Sequence, residues 1–187
     1  MTGFRVVDTT TRARSAFLEL VEATVESDDG QTFTRTIVRH PGAVTVVPVT
    51  NDQDVLLVRQ YRAAVGHEIL EAPAGKRDVD GEPPELTGRR ELEEEVAHRA
   101  GRMVLLAEAY TSPGFSDEYA HIYAAFDLTP LDHAHAATAE EAAMSIERVP
   151  LGCVDDLIAR RELVDATTII GLLLTQQLLA GSKESSA

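Results

Sequence analysis

The sequence predicts an α/β protein of the α+β kind, with a mixed β-sheet between helices and an antiparallel strand extension at the N-terminus. Strand-like segments outnumber helical ones, and the two do not alternate strictly as they would in a doubly wound fold. The last apolar segment, about Ala166 to Ala180, has too many Ile and Leu residues for one stripe. We therefore expect that helix to be buried on more than one side, against the sheet and a partner subunit.

The chain is long enough for one domain with an appendage, and its charge limits its partners. Its 187 residues are 44% hydrophobic, which is enough to bury a core. It carries 17 Lys and Arg against 31 Asp and Glu, a net charge of −14. This charge opposes binding to nucleic acid, where basic side chains must neutralise phosphates. An anionic small-molecule substrate would need divalent cations to screen the repulsion.

The cysteine count and the apolar runs predict a cytoplasmic protein with no membrane partner. The single cysteine, Cys153, excludes an intrachain disulfide, and we expect it to be a small buried apolar residue. No apolar run approaches the roughly 20 residues that span a bilayer. Residues 1–14 lack the apolar stretch of a secretory signal.

The N-terminal extension is predicted as a hairpin within residues 1–42. Phe17 to Glu26 mixes apolar and acidic residues in near alternation, and Thr32 to Arg39 is rich in β-branched residues. Asp29-Gly30 supplies the turn between these segments, and His40-Pro41-Gly42 ends the hairpin. A core domain then follows over 43–181, and a polar tail over 182–187.

The core domain is predicted to contain six strands and three helices. Short apolar or β-branched runs predict strands at 43–49, 55–58, 68–72, 104–110, 120–128 and 144–149. Helical patterns cover 84–97, 152–161 and 166–180. Pro83-Pro84 suits a helix start, Gly101 follows the end of that helix, and Asp165 is a candidate N-cap for the last one. We expect Leu86, Leu92 and Val96 to lie on the core side of the first helix.

The first helix carries the chemistry. Glu91 and Glu95 are spaced i,i+4 and project from one face, and Glu94, three residues after Glu91, joins that side. Glu93 points elsewhere, and Arg90 is i,i+4 to Glu94. Three carboxylates on one face repel unless a positive group lies among them, and Mg²⁺ favours such oxygen ligands. An ordinary solvated acidic face remains the alternative on the helix alone.

The segment before this helix favours the metal site. A strand ends at Glu71–Gly75, where Gly75 permits a tight path that can offer the Ala74 carbonyl to the same metal. From Gly75 to Ala97 the chain resembles the Nudix hydrolase signature, Gx5Ex7REUxEExGU, where U is a bulky apolar residue. The matching positions are Gly75, Glu82, Arg90-Glu91-Leu92 and Glu94-Glu95. The chain departs in three ways: six residues precede Glu82, Ala97 replaces glycine, and His98 replaces an apolar residue.

Within that family the chain is similar to ADP-ribose pyrophosphatases. The similarity rests on Val58–Arg62 followed by Glu71–Gly75, and on a downstream proline in the setting Pro113–Glu118. Several other sugar-nucleotide hydrolases share these features. The N-terminal hairpin resembles extra strands that pack across a dimer in these enzymes, which implies a homodimer.

The resemblance implies roles for the signature residues. Ala74, Glu91, Glu95 and Glu94 would hold Mg²⁺, with Mn²⁺ as a substitute, and Glu94 could instead orient a water. Glu82 would pair with Arg90 and hold the loop to the helix. A general base is expected on a late loop, where Glu140 and Glu141 match and Glu141 is favoured.

Substrate contacts are expected from two regions. Arg62 is the best candidate for a phosphate or ribose contact, and Arg59 is a weaker one. In the downstream loop the candidates are Phe115, Ser116 and Glu118. A surface arginine and a plain loop anchor are the alternatives. His133 and His135 lack the further ligands that a zinc site wants.

The function implied is Mg²⁺-dependent hydrolysis of the pyrophosphate bond of ADP-ribose to AMP and ribose 5-phosphate. The same chemistry on another nucleoside diphosphate sugar or dinucleotide is the first alternative. A non-catalytic nucleotide-binding module of the same fold is the second, although such modules usually lose the signature glutamates.

Overall fold

A computed structural model describes residues 3–132 and 143–184, with side chains through 181 in the second range. This part of the chain contains three α-helices: α1 Pro84–Val96, α2 Val154–Ala159 and α3 Ala166–Glu184. A 3-10 turn, Leu151–Cys153, precedes α2. The strands are β1 Phe4–Arg14, β2 Glu19–Ser27, β3 Thr32–Arg39, β4 Ala43–Pro48, β5 Asp54–Arg62, β6 His67–Glu71, β7 Ala74–Lys76, β8 His98–Tyr110, β9 Tyr119–Pro130 and β10 Ser145–Pro150. None of the helices in these ranges is long and apolar enough to cross a membrane.

The chain divides into two compact units. One comprises the residues up to Gly42 together with Ala109–Tyr119, and the other comprises Ala43–Glu108 and the chain from Ala120 onward. The first unit contains an antiparallel sheet in the order β1-β2-β3. The hairpin formed by β2 and β3 was predicted, whereas β1 was not. Every residue of β1 is exposed. Its sequence therefore lacks the alternation of apolar residues that a half-buried strand shows.

The second unit contains two sheets, in the orders β7-β4-β9-β8 and β10-β5-β6. Strands β4 and β9 pair in parallel and β4 pairs with β7 antiparallel, so the first of these sheets is mixed, as predicted. The second sheet is antiparallel. The α+β class predicted from the sequence is therefore confirmed.

Strand β4 lies between α1 and α3, because its successive side chains point to opposite faces. Val44 and Val46 pack with Leu92 of α1, whereas Val47 packs with Leu172 of α3. Each helix carries a glycine at the close approach. A Cβ on Gly88 of α1 would lie 2.8 Å from Val46 Cγ2, and one on Gly171 of α3 would lie 2.8 Å from Val47 Cγ2. The predicted placement of the sheet between helices follows from this alternation.

Helix α1 begins at Pro84 and ends at Val96, close to its predicted limits. Leu92 and Val96 are fully buried as expected, but Leu86 is 52% exposed, so its predicted core position is wrong. Leu86 lies in the first turn of the helix, away from the stripe through Leu92 and Val96. The C-cap of the helix is Ala97, which has a left-handed conformation with φ 51°, and not Gly101.

Helix α3 begins as predicted, with Asp165 as its N-cap. The Asp165 Oδ2 atom accepts hydrogen bonds from the Thr168 N–H at 2.7 Å and the Thr167 hydroxyl at 2.8 Å. Leu172 is fully buried, while Ile170 is exposed. Further apolar residues of α3 are partly buried and pack against the same core as Leu172, namely Ile169, Leu173, Leu178 and Leu179.

Several further boundaries differ from the prediction. The segment from Ala74 to Lys76 pairs with β4 and forms a strand that was not among the six predicted for the core domain. Strand β8 begins at His98 rather than at residue 104. Cys153 is exposed, so its predicted burial is wrong: it ends the turn before α2, where Leu151 and Val154 provide the buried side chains.

Candidate active site

The segment from Ala72 to Gly75 is attached to three elements of the second unit. The Ala72 N–H donates to the Thr168 hydroxyl of α3 at 2.9 Å. The Val46 N–H of β4 donates to the Pro73 carbonyl at 2.8 Å. The Ala74 N–H donates to Glu95 Oε2 of α1 at 3.1 Å. These three hydrogen bonds place the segment directly beside the acidic face of α1.

Gly75 makes close approach between this segment and α1 possible. A Cβ at this position would lie 2.0 Å from Glu91 Oε1 and 2.6 Å from Glu91 Oε2. Such distances are impossible for a real side chain, so the Glu91 carboxylate fills the space that glycine leaves. Glu91 is itself buried, with 8% of its surface exposed. The signature glycine is therefore explained by contact with the first signature glutamate of the helix.

Arg90 lies among four acidic side chains. Its Nη1 atom is 2.9 Å from Glu91 Oε1 and 3.2 Å from Glu94 Oε2. Its Nη2 atom is 3.8 Å from both Glu82 Oε2 and Asp78 Oδ1. Burial disfavours the charged guanidinium, but these carboxylates outweigh it and raise the pKa of Arg90. Arg90 is therefore a positive group among the carboxylates of α1 and of the loop before it.

Glu82 contacts Arg90, and Glu93 points away from the other helix carboxylates, as expected for each. Glu82 Oε2 accepts a hydrogen bond from the Thr87 hydroxyl at 2.7 Å, in addition to its contact with Arg90. Glu93 accepts a 2.8 Å hydrogen bond from Arg99 Nε of β8, which lowers the pKa of this carboxyl group. Glu82 therefore joins the loop to the helix, and Glu93 lies apart from the acidic cluster.

The oxygen donors of this region fit a divalent cation. Ala74, Glu91 and Glu95 lie together around Gly75, although no group of three acidic, histidine or cysteine side chains in the described ranges is spaced to hold an ion. Mg²⁺ usually binds through one or two carboxylates, retained waters and substrate phosphates, and does not need an all-protein cage. The carboxylate oxygens of Glu91 and Glu95 are hard donors, which suit a divalent cation better than a soft metal.

The two arginines proposed for substrate contact both lie on β5, and each pairs with a glutamate. Arg62 Nε donates to Glu71 Oε2 at 2.9 Å, and the Arg62 side chain is half-exposed. Arg59 Nε donates to Glu147 Oε1 of β10 at 2.5 Å. Arg59 is thus engaged across the sheet, while Arg62 has a buried partner and a solvent-facing part.

The candidates of the downstream loop belong to the first unit. Phe115 is exposed, and its carbonyl accepts from the Val38 N–H at 2.7 Å. The Ser116 hydroxyl accepts from the Glu118 N–H at 3.1 Å. Glu118 also accepts from the Thr111 hydroxyl and lies 3.4 Å from His40 Nε2. These contacts connect the loop residues to one another, to β3 and to His40.

Other predicted residues lie outside the described part of the chain. These are the two candidates for the general base and the two loop histidines: Glu140, Glu141, His133 and His135.

Two residues of this region received no role from the sequence. Glu71 is buried and contacts Arg62, and Thr168 is fully buried and contacts Ala72. Their positions depend on strand pairing and on the packing of α3. An acidic residue at the end of an apolar strand, two residues before Pro73, was the signal for Glu71, and a Thr among the apolar residues of the last helix was the signal for Thr168.

Comparison with known proteins decides the family. The family model described as "NUDIX domain" matches residues 39–166. The chain belongs to the Nudix family. Nudix hydrolases use divalent metal ions, in agreement with the oxygen donors around Gly75. The family resemblance predicted from the signature is confirmed.

The similarity to known proteins covers most of this chain. The chain is 37% identical to the ADP-ribose pyrophosphatase of Bacillus subtilis (strain 168) over 85% of each chain. It is 39% identical to the methanol dehydrogenase activator of Bacillus methanolicus over 81% of each chain. A crystal structure of an ADP compounds hydrolase has the same fold, with a TM-score of 0.84 over 97% of each chain at 24% identity. The predicted similarity to ADP-ribose pyrophosphatases and the prediction of a Nudix hydrolase are confirmed.

Proposed function

We propose that this chain hydrolyses the pyrophosphate bond of ADP-ribose with Mg²⁺ bound, to give AMP and ribose 5-phosphate. The observation that carries the proposal is the 37% identity to an ADP-ribose pyrophosphatase over 85% of each chain. The grouping of Ala74, Glu91 and Glu95 around Gly75 supports it, because these donors suit the ion that a diphosphate substrate would bring.

In the proposed reaction, water attacks one phosphorus of the diphosphate and the bond to the bridging oxygen breaks. Ala74, Glu91, Glu95 and Glu94 would hold Mg²⁺, which when bound neutralises phosphate charge and acidifies water. The proposed general base is Glu141, which takes the proton of the attacking water. Mn²⁺ would substitute for Mg²⁺ because it accepts the same oxygen ligands.

Substrate recognition is proposed to fall to residues outside the signature. Arg62 would bind the diphosphate, since a guanidinium group can donate two parallel hydrogen bonds to phosphate oxygens. Phe115, Ser116 and Glu118 would contact the ribose end, and Arg59 would have a secondary role. The single cysteine and the small anionic substrate fit a cytoplasmic enzyme.

An assay with purified protein tests the activity. The protein is incubated with ADP-ribose, a panel of other nucleoside diphosphate sugars, a dinucleotide and Mg²⁺, and the released monophosphate is measured. We expect ADP-ribose to give the highest kcat/KM. Preference for another nucleotide would replace the substrate, and no product from any compound would overturn the enzymatic function.

The relative named for activation of methanol dehydrogenase motivates a second candidate, a regulator of another enzyme. That name describes an effect on a second protein and does not argue against pyrophosphate hydrolysis. The retained Glu91, Glu94 and Glu95 favour hydrolysis. A protein that stimulates a dehydrogenase but releases no monophosphate would support this second candidate.

The general base is tested by a matched pair of variants. Glu141→Gln and Glu140→Gln each remove one carboxylate from the same loop. We expect Glu141→Gln to lower kcat by about 100-fold or more and Glu140→Gln to lower it much less. A larger loss in Glu140→Gln would transfer the role to that residue.

We also propose that the first unit mediates a homodimer. Val6 pairs with Val25 and Val25 pairs with Phe33, so these three side chains form an apolar row across β1, β2 and β3. Phe4 extends the row, with its ring centroid 5.8 Å from that of Phe33. An apolar row on a sheet face, with Val6 54% exposed, is suited to burial by a second copy of the chain.

A further inference from the structure

The strand that carries Arg62 leads from the core beneath α1 to the surface. Alternate residues of β5 share one face, and on this face Leu56 and Val58 belong to the core packed against Leu92. Gln60 and Arg62 continue the same row. Val58 pairs with Glu71 at the end of β6, so the Glu71 side chain lies on that face as well.

Glu71 holds two side chains of this row through one oxygen atom. Its Oε2 atom accepts from Arg62 Nε at 2.9 Å and from Gln60 Nε2 at 2.6 Å. Within the described part of the chain, the terminal nitrogens of Arg62 make no hydrogen bond. The inner edge of the guanidinium is therefore fixed, while its outer edge keeps both donors for a ligand.

Burying the Glu71 carboxylate costs free energy, and the side-chain hydrogen bonds that it accepts come from Arg62 and Gln60. Only 6% of its surface is exposed. Burial raises the pKa of the Glu71 carboxyl, Arg62 opposes this rise, and the charge of Asp165 adds to it. A buried carboxylate adds nothing to an apolar core and is normally retained with a partner. The partner here is the arginine proposed to bind substrate.

We propose that Glu71, braced by Gln60, is a positioning residue that orients Arg62 for bidentate binding of the substrate diphosphate. This inference rests on the proposed function, in which Arg62 contacts the diphosphate. Glu71 acts through Arg62 and does not touch the substrate. Without this bond the guanidinium would rotate freely, and binding would have to restrict it.

A double-mutant cycle tests the dependence on Arg62. Glu71→Gln keeps the side-chain shape and removes the charge, and we expect KM to rise about tenfold with kcat nearly unchanged. In an Arg62→Ala background the same change should have no further effect on kcat/KM. Glu68→Gln is the matched control, because it removes a carboxylate from the same strand without contacting Arg62, and its KM should stay at the wild-type value.

The cycle uses the nucleotide sugar that the wild type hydrolyses fastest, so that a wrong substrate assignment and a wrong role for Glu71 give different results. If the wild type hydrolyses another nucleotide sugar but not ADP-ribose, only the proposed substrate is overturned. Additive effects of Glu71→Gln and Arg62→Ala would overturn the positioning role. If Glu71→Gln does not fold, Gln60→Met removes the brace, and an unchanged KM in that variant would have the same consequence.

A spectroscopic measurement tests the bond without any substrate. In a ¹⁵N–¹H spectrum the Arg62 Nε–H, identified by its loss in Arg62→Lys, should exchange slowly with water in the wild type. It should exchange much faster in Glu71→Gln and be unaffected by Glu68→Gln. Equal exchange in wild type and Glu71→Gln would show that Glu71 does not hold the guanidinium and would overturn the inference.

Discussion

At the scale of single residues, charge and backbone geometry explain the signature of this chain. Gly75 leaves space for the Glu91 carboxylate, and Arg90 lies between Glu91 and Glu94. The i,i+4 spacing of Glu91 and Glu95 directs both toward the segment that begins at Ala74. Each signature position can thus be assigned a physical contact, and each contact can be removed singly.

The first residue-scale prediction concerns Glu95. Glu95→Gln keeps an oxygen that can accept from the Ala74 N–H but removes the negative charge. We expect kcat to fall by at least about 100-fold while circular dichroism and melting temperature stay near wild type. The control is Glu93→Gln, which alters another carboxylate of the same helix, one that is paired with Arg99 of β8. This variant should keep nearly full activity. Comparable activity in Glu95→Gln and the wild type would contradict the metal assignment.

The second residue-scale prediction concerns Ala97, which replaces the usual glycine at the end of α1. Its φ of 51° costs an L-residue about 1–2 kcal/mol. Ala97→Gly should therefore raise the free energy of unfolding by about 1 kcal/mol. Ala159→Gly in α2, where φ is not positive, should lower it by a similar amount. Urea unfolding measures both, and a destabilised Ala97→Gly would refute this explanation of the signature.

At the scale of elements, one short segment connects strand pairing to the catalytic helix. Residues 72–75 are hydrogen-bonded to α3, β4 and α1. Helix α3 thus contributes to the site through the Thr168 hydroxyl, although it carries no signature residue. The position of Ala74 relative to Glu95 depends on all three elements.

The element-scale prediction removes the hydroxyl of Thr168. Thr168→Val leaves the buried Ala72 N–H without its acceptor, which should cost about 1–3 kcal/mol of stability and lower kcat/KM. Thr175 is equally buried, but its hydroxyl donates to the Gly171 carbonyl of its own helix. Thr175→Val should therefore cost less than about 1 kcal/mol and leave kcat/KM unchanged. Equal losses in the two variants would show that only the buried hydroxyl matters, and not the link to Ala72.

At the scale of the whole molecule, the chain forms two compact units. The second unit contains the signature, Arg62 and Glu71, and the first contains the apolar row on the β1-β2-β3 sheet. Charged pairs such as Arg5–Glu26 and Arg14–Glu19 connect β1 and β2. The division into residues 1–42 and 43–181, and the role of the first part in a dimer, stay predictions.

The whole-molecule prediction tests the proposed dimer. Val6→Asp places a charge in the apolar row and should shift the mass measured by light scattering from dimer to monomer, because a buried unpaired carboxylate is costly. Val164→Asp is the control: Val164 is 50% exposed in the second unit, and its substitution should leave the mass unchanged. A monomeric wild type, or a dimeric Val6→Asp protein, would argue against this interface.

The sequence by itself determined the family, the acidic cluster and most of the elements. The signature spacing depends on local geometry, since i,i+3 and i,i+4 positions share a helix face whatever surrounds them. For the same reason Glu93 could be separated from Glu91, Glu94 and Glu95. Apolar and β-branched patterns identified β4, β5 and α3 because these elements bury whole faces.

The tertiary structure alone decided the contacts that join distant parts of the chain. Strand β1 lacks a burial pattern, Leu86 lies off the buried stripe, and Cys153 ends an exposed turn, so local patterns missed the strand and misplaced the two residues. The hydrogen bonds of Thr168 to Ala72 and of Glu71 to Arg62 depend on strand register and helix packing. Residues far apart in sequence meet only after the sheet has formed. The acidic helix could therefore be predicted from the sequence, whereas the residues that hold Ala72 and Arg62 in place could not.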